Sequence, residues 1–510
     1  MHTPDEAAAD EREARRFPAH IRTVARVAHY HRLVVRPEIR TSPAGADPVR
    51  PSAGELGSGS APASDPDPDP DAKRRALDEF ATFLNPQKVR LLKASGLDIV
   101  EGRREGVWVW DLDGRRFLDC FSSAGSFNVG RRNPRIVKAA HDALDRLDNG
   151  NFLLCSREKA ALAAKLAEIT PAGLTCTMFG TGGGEAVDFA LKLARGATGR
   201  PKIVSCVNGY HGHTGFALSA AGRDAFRAPF EPLMPGFVRV PFGDVAAAEA
   251  AIDAETAAMI VEPVQGEGGI IVSPPGYLQG LRSVCDRAGA LLVLDEIQTG
   301  FGRTGRWFAS EHFGVAPDIM TVAKSLGGSV TSLSAAIFTE ELREFLLPNP
   351  FIHLSTFGGS DLACAIGLEV IALIEETGLV GHAEEMGALL RDGLDDLAGR
   401  HADVIAEVRG LGLMLGLRYR EDSMGSRMSY NLARHGILAI FSGNEPSVTR
   451  LMPPLVITAA EVEYLLEALD AAMSDMVAGV GPADDGDQAR APQRPRRRPP
   501  RRDESSAPGR

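Results

Sequence analysis

Within PDIMTVAKSLGG, residues 317–328, Lys324 ends a strand-like run at a place where a lysine is costly. Residues 319–323 are apolar or β-branched throughout and read as a buried strand, after which Gly327 and Gly328 make a turn. Burying an ammonium without a partner costs several kcal/mol, so a core strand that ends on one asks for a chemical use. Three more runs end on polar groups: IVSCVNGYHG near Tyr210 and His211, AAMIVEP at Glu262, and ALLVLDEIQ at Asp295, Glu296 and Gln298. In open α/β sheets ligands bind beyond the carboxyl ends of the strands, so four such endings point to one site. A fifth piece is FGTGGGEAVDFALKLARG, where Gly182, Gly183 and Gly184 come immediately before a helical pattern. Backbone N–H groups there could hold a phosphate against a helix N-terminus, although a plain flexible turn would give the same sequence.

Two cofactor chemistries use such pieces. ALLVLDE resembles the acidic strand of a P-loop ATPase, but that reading also requires GxxxxGK[ST]. The chain has nine lysines and none follows a glycine, which removes the ATPase. Pyridoxal phosphate needs a lysine for a Schiff base, an acid at the pyridine nitrogen, an aromatic face for the ring and a phosphate cradle. Lys324, Asp295, Tyr210 and the 182–184 loop supply one each. A structural Lys324 paired with a carboxylate is the bland alternative.

The elements that must position these groups alternate along the chain. Short β runs at 203–207, 257–262, 290–295 and 319–323 are separated by helical periodicity, as at 185–195, where Phe189, Ala190, Leu193 and Ala194 share a face. That alternation predicts an α/β fold with a mostly parallel sheet covered by helices. The pattern predicts five segments: a disordered extension over 1–80, an N-terminal segment over 81–135 joining the small domain, a large domain over 136–375, a small domain over 376–478, and a disordered tail over 479–510. The extension contains SGSAPASDPDPDPD and the tail RPRRRPPRR, neither with enough apolar surface to fold.

Composition narrows the class further. At 510 residues, 44% hydrophobic and 24% charged, the chain has the make-up of a soluble globular protein. A net charge of −11 gives no general attraction to nucleic acid or membranes, and no apolar run is long enough to span a bilayer. The N-terminus lacks the apolar core of a secretory signal, and Asp5, Glu6, Glu11 and Glu13 argue against a transit peptide. Six scattered cysteines form no CxxC or Cys/His cluster, so no metal is expected and a reducing cytoplasm fits best.

From Leu292 to Gly328, LVLDEIQTGFGRTGRWFASEHFGVAPDIMTVAKSLGG resembles the class III (ornithine/ω-amino acid) aminotransferases of fold type I. Within that class, FNVGRRNP, FRAPFEPLMPGFVRVPFGD, NPFIHLSTFGG and PPGYLQGLRSVCDRAGALLVLDE look most like the putrescine (diamine) aminotransferases. The likeness runs from about 82 to 477. It implies a large domain on a mostly parallel seven-stranded sheet, a smaller α+β C-terminal domain, and pyridoxal 5′-phosphate as cofactor. Lys324 would form the Schiff base and then move the proton, and Asp295 would keep the pyridine nitrogen protonated. Gln298 would bond the phenolic oxygen, Tyr210 would stack on the ring with His211 beside it, and Gly182, Gly183 and Gly184 would line the phosphate. Thr356 would reach the phosphate of a neighbouring subunit's cofactor, which implies a homodimer with shared sites. Arg450 would bind the α-carboxylate of an oxo acid, and Glu262 would pair with it when the other substrate has none.

Several positions depart from the family pattern. Gly182 replaces a usual serine, Ser329 a glycine, Thr331 a proline, Ser360 and Asp361 an Asn-Pro pair, and Arg131 a histidine. The expected activity is transfer of an amino group from a diamine or ω-amino compound to an oxo acid such as 2-oxoglutarate or pyruvate. The alternatives are an acetylornithine/ornithine-type aminotransferase, a fold-type-I mutase or decarboxylase, or, outside this class, a nucleic-acid-binding protein acting through its Arg-rich tail.

Overall fold

A seven-stranded sheet organises the large domain, in the order Leu174–Gly180, Ser334–Thr339, Ile319–Val322, Leu291–Asp295, Thr256–Val261, Lys202–Cys206 and Phe237–Val240. The computed structural model describes Asp69 and residues 71–482. The last five strands run parallel, and Ser334–Thr339 is antiparallel to both of its neighbours.

Both faces of the sheet are buried, which is why its strands are apolar without alternation. Along Thr256–Val261, Ile260 packs towards helix Gly183–Thr198 through Val187, Phe189 and Leu193. Met259 and Val261 face the other way, onto Leu278 and Leu281 of helix Tyr277–Ala288. The helix predicted at 185–195 thus runs two residues earlier and three later.

The small domain carries its own antiparallel sheet, Ile405–Leu411, Met414–Tyr419, Val448–Leu451 and Ile440–Phe441. Helices Leu379–Arg400 and Ala459–Val477 cover it through Leu390, Leu394, Leu465 and Leu469. The second of these starts on a capping box, in which Thr458 and Glu461 satisfy each other's backbone N–H groups. The N-terminal strands Glu101–Glu105, Trp108–Asp111 and Arg116–Asp119 join that domain by a parallel pairing of Leu118 and Asp119 with Ile437 and Leu438.

One boundary differs from expectation. Helix Ala72–Phe83 begins inside the stretch expected to be disordered. Its sequence, AKRRALDEFATF, holds no glycine or proline and is rich in good helix formers, and Lys73 Nζ is 2.6 Å from Asp113 Oδ2. The rest of the extension, apart from Asp69, and the tail from 483 onward, with its Arg-rich segment, lie outside the described residues. No helix among the described residues is long and apolar enough to cross a membrane.

Two of the departing residues have visible structural roles. Ser360 caps helix Asp361–Glu376 by accepting from Ala363 N, a task serine and asparagine share. Arg131 is buried between Asp119 Oδ2 at 2.6 Å and Glu101 Oε1 at 2.9 Å.

Candidate active site

The parallel strands end on one rim, and there the predicted groups meet. A cavity of about 500 Å³ is lined by Lys324, Asp295, Glu262, Tyr210, His211 and Gln298, together with Gly182, Gly183 and Gly184. Four different strands therefore contribute to a single pocket, as their shared direction requires.

Lys324 itself sits at φ 46, a left-handed conformation that non-glycine residues hold only where the surroundings impose it. Its side chain projects into the cavity yet is surrounded by protein. Burial lowers its pKa to about 8, with Glu267 opposing through space and Arg450 adding to the fall. An amine so depressed is partly neutral near physiological pH and is therefore nucleophilic.

Asp295 is held on three sides. His211 Nδ1 is 2.8 Å from its Oδ2, while Ile297 N at 3.1 Å and Thr321 Oγ1 at 3.2 Å donate to Oδ1. Burial works against a charge on His211, but the hydrogen bond and charge of Asp295 outweigh it and the pKa is raised. Tyr210 stands beside this pair, with its ring edge-on to His213 at 5.5 Å.

The glycine loop forms an anion seat. Helix Gly183–Thr198 has Gly182 at its N-cap with no side chain bonding the first amides. A Cβ on Gly184 would lie 2.8 Å from Thr214 Oγ1, and one on Gly183 3.0 Å from Ile297 Cδ1, whereas one on Gly182 would meet open space. The backbone can thus approach a phosphate closely, and the helix dipole favours it. A partnerless amine, a held carboxylate and this cradle fit pyridoxal phosphate: Lys324 would hold its aldehyde end, and the Gly183 and Gly184 amides would hold its phosphate.

Gln298 reaches the cavity while Nε2 donates to Ala124 O at 2.9 Å. That carbonyl belongs to a turn in which Ser122, Ser123 and Ala124 have φ 48, 49 and 59. Left-handed residues cost roughly 1–2 kcal/mol each, so Gln298 and Asp119, which accepts from Ser122 N at 2.7 Å, restrain a strained segment of the cavity wall.

The structure corrects one assignment. Glu262 does not pair with Arg450. It is buried with Oε1 accepting from Tyr210 N at 2.8 Å and Oε2 from Gly266 N at 3.1 Å, and burial raises its pKa to about 7. Glu267, five residues on, carries the ion pair instead, with Arg450 Nη1 donating to its Oε1. The physical reason is position. Glu262 ends a core strand and is consumed by the backbone turning around it, while Glu267 lies in the glycine-rich loop beyond and reaches across to the small domain. Both acids occur in VEPVQGEGG, and the flanking glycines are the available signal for the one carried on a loop.

Thr356 lies outside the cavity on an exposed loop beside Phe351, Leu354 and Phe357. The structure does not bring it to the cavity of its own chain. Ser123 and Val264 line the cavity and were not singled out by sequence.

Fold and site together define a pyridoxal-phosphate-dependent enzyme of fold type I. The family profile described as aminotransferase class-III matches residues 93–473. An uncharacterized aminotransferase of Archaeoglobus fulgidus is 45% identical over 401 residues, covering 79% of this chain and 94% of that protein. Among solved structures, the ornithine aminotransferase of Toxoplasma gondii superposes with a TM-score of 0.75 at 30% identity, covering 80% of this chain and 95% of the other. An (S)-enantioselective ω-transaminase of Thermomicrobium roseum gives 0.74 at 34% identity, covering 80% and 99%. The chain belongs to the class III aminotransferases.

Proposed function

We propose that this aminotransferase takes an amino group from a primary amine without an α-carboxylate, a diamine or ω-amino compound, and passes it to an oxo acid such as 2-oxoglutarate or pyruvate. The closed Glu267–Arg450 pair at the edge of the cavity carries this reading. A buried guanidinium left alone is costly, so a substrate that offers it no carboxylate is best served while Glu267 stays in place. An oxo acid would displace Glu267 and take the bidentate fork for its own carboxylate. The role first assigned to Glu262 passes in this way to Glu267.

The cofactor, when bound, supplies the electron sink and carries the amino group between half-reactions. Lys324 Nζ, depressed towards 8, can accept and return a proton at the substrate carbon. Asp295 would face the cofactor's ring nitrogen, its carboxylate held in place by His211. Ser123 of the strained 122–124 turn and Val264 line the cavity walls.

An ornithine- or acetylornithine-type activity is the second reading, favoured by the likeness to the Toxoplasma gondii ornithine aminotransferase. Thr356 and its apolar neighbours support a homodimer with shared sites, and six unpaired cysteines suit a reducing cytoplasm. The test is to measure both half-reactions in Arg450→Ala. The oxo-acid half-reaction should fall by about 10²-fold, the diamine half-reaction by far less. Equal losses in both would reject the two-state pocket.

A further inference from the structure

Gly443 stands where its own backbone gives no reason for a glycine. It is absent from the residues with positive φ, so any side chain could adopt its conformation. A Cβ built there would meet one atom within 4 Å, Glu267 Oε2 at 2.9 Å. The backbone N–H of Gly443 donates to that same oxygen at 3.2 Å. The glycine is therefore explained by the carboxylate it faces.

The surrounding contacts make a clamp. Gly443 follows strand Ile440–Phe441, which pairs antiparallel with Val448–Leu451, so that Ile440 lies opposite Arg450. One hairpin of the small domain thus presents Arg450 to Glu267 Oε1 and the Gly443 amide to Glu267 Oε2. Ser442 Oγ and Asn444 N, the latter at 3.0 Å, both bond the Glu267 carbonyl oxygen. Arg223 of the large domain donates to the Gly443 carbonyl from outside, which anchors the 443–444 peptide whose Asn444 N–H bonds Glu267 O. Glu267 cannot leave Arg450 without also leaving Gly443.

We propose that Gly443 is a specificity-determining positioning residue: its amide and its missing side chain seat Glu267 on Arg450, and so set how readily the site exchanges an amine without an α-carboxylate for a substrate that has one. The inference rests on the gate reading above and goes beyond it in naming what holds the gate closed. Adding a methyl group at 443 pushes the far end of a flexible glutamate, which moves more cheaply than backbone does. The displaced carboxylate loses a charge-assisted hydrogen bond and leaves the guanidinium more open to an incoming carboxylate.

The test compares Gly443→Ala with wild type and Glu267→Ala as holoenzymes. Two readouts are taken: the ratio of oxo-acid to diamine half-reaction efficiencies, and calorimetric binding of glutarate, a dicarboxylate that cannot react. Gly443→Ala should bind glutarate about tenfold more tightly and raise the ratio by about tenfold, in the same direction as Glu267→Ala. A purely structural role would lower both half-reactions together. If Glu267→Ala shifts the ratio and Gly443→Ala matches wild type, the proposal is overturned while the gate stands. If Glu267→Ala also leaves the ratio unchanged, both are overturned. Should Gly443→Ala not fold, Ser442→Ala decides, since it removes the hydroxyl holding Glu267 without filling space. A smaller shift of the same sign supports the clamp, and no shift overturns it.

Discussion

His211 Nδ1 lies 2.8 Å from Asp295 Oδ2, with both side chains buried and His211 Nε2 left without a partner. The bond holds the Asp295 carboxylate, which lines the cavity. Asp295→Ala should retain some cofactor and lose activity on the order of 10³-fold, the scale of removing a charge that stabilises a transition state. His211→Leu should cost about tenfold in kcat with little change in KM, and His211→Gln should recover part of it by donating to the same oxygen. Steady-state kinetics of the three variants checks this; a His211→Leu loss confined to KM would contradict it.

Lys324 is a stability cost as well as a tool. Its pKa is about 8 in the fold against an ordinary 10.5, because burial disfavours the ammonium. Below about pH 8 the lysine is charged in both folded and unfolded chains, and the folded state carries the full penalty. Between 8 and 10.5 the folded chain has lost the proton while the unfolded one keeps it, so stability rises with pH and the penalty disappears. Cofactor-free Lys324→Met should therefore be more stable than cofactor-free wild type at pH 7, by about 1–3 kcal/mol after allowance for solvent reaching the cavity. The advantage should shrink towards pH 10. Urea unfolding at both pH values reads the difference, and an advantage that grows with pH would refute the assignment.

Gly182 is open on the side where a hydroxyl would face the phosphate seat, since its Cβ direction meets nothing within 4 Å. Gly182→Ser should tighten cofactor binding by several-fold, about the worth of one hydrogen bond to a charged group. Gly184→Val should abolish cofactor retention, because its side chain collides with Thr214. Equilibrium dialysis against pyridoxal phosphate gives both values. Weaker retention in Gly182→Ser would place the phosphate elsewhere.

The exposed loop around Thr356 leads to a mixing experiment. Lys324→Ala and Thr356→Ala chains, each poorly active alone, should regain activity when mixed if sites are shared between two copies. With random mixing up to about half of the dimers are mixed, and each carries at most one intact site. A fully active monomer in sedimentation would contradict the shared site.

Much of this was legible in the sequence. Strands buried on both faces announce themselves as apolar runs, and their shared direction puts Lys324, Asp295, Glu262 and Tyr210 on one rim, where the structure has them. What sequence could not supply was which carboxylate crosses between domains. Glu262 and Glu267 are five residues apart, and the choice depends on how the 441–450 hairpin docks, a contact spanning 183 residues from Glu267 to Arg450. The left-handed turn at 122–124 was equally hidden, because serine and alanine carry no signature for positive φ and the conformation is imposed by Asp119 and Gln298. The helix over 72–83 adjoins a Pro-Asp repeat, whose composition masks its helix-forming sequence.

The most direct test of the account is borohydride reduction of the holoenzyme followed by peptide mapping. The reduced cofactor should be found on the peptide carrying Lys324, Lys324→Ala should give no labelled lysine, and prior addition of a diamine should protect wild type from labelling. Label on any of the other eight lysines, or no protection by any amine, would contradict it.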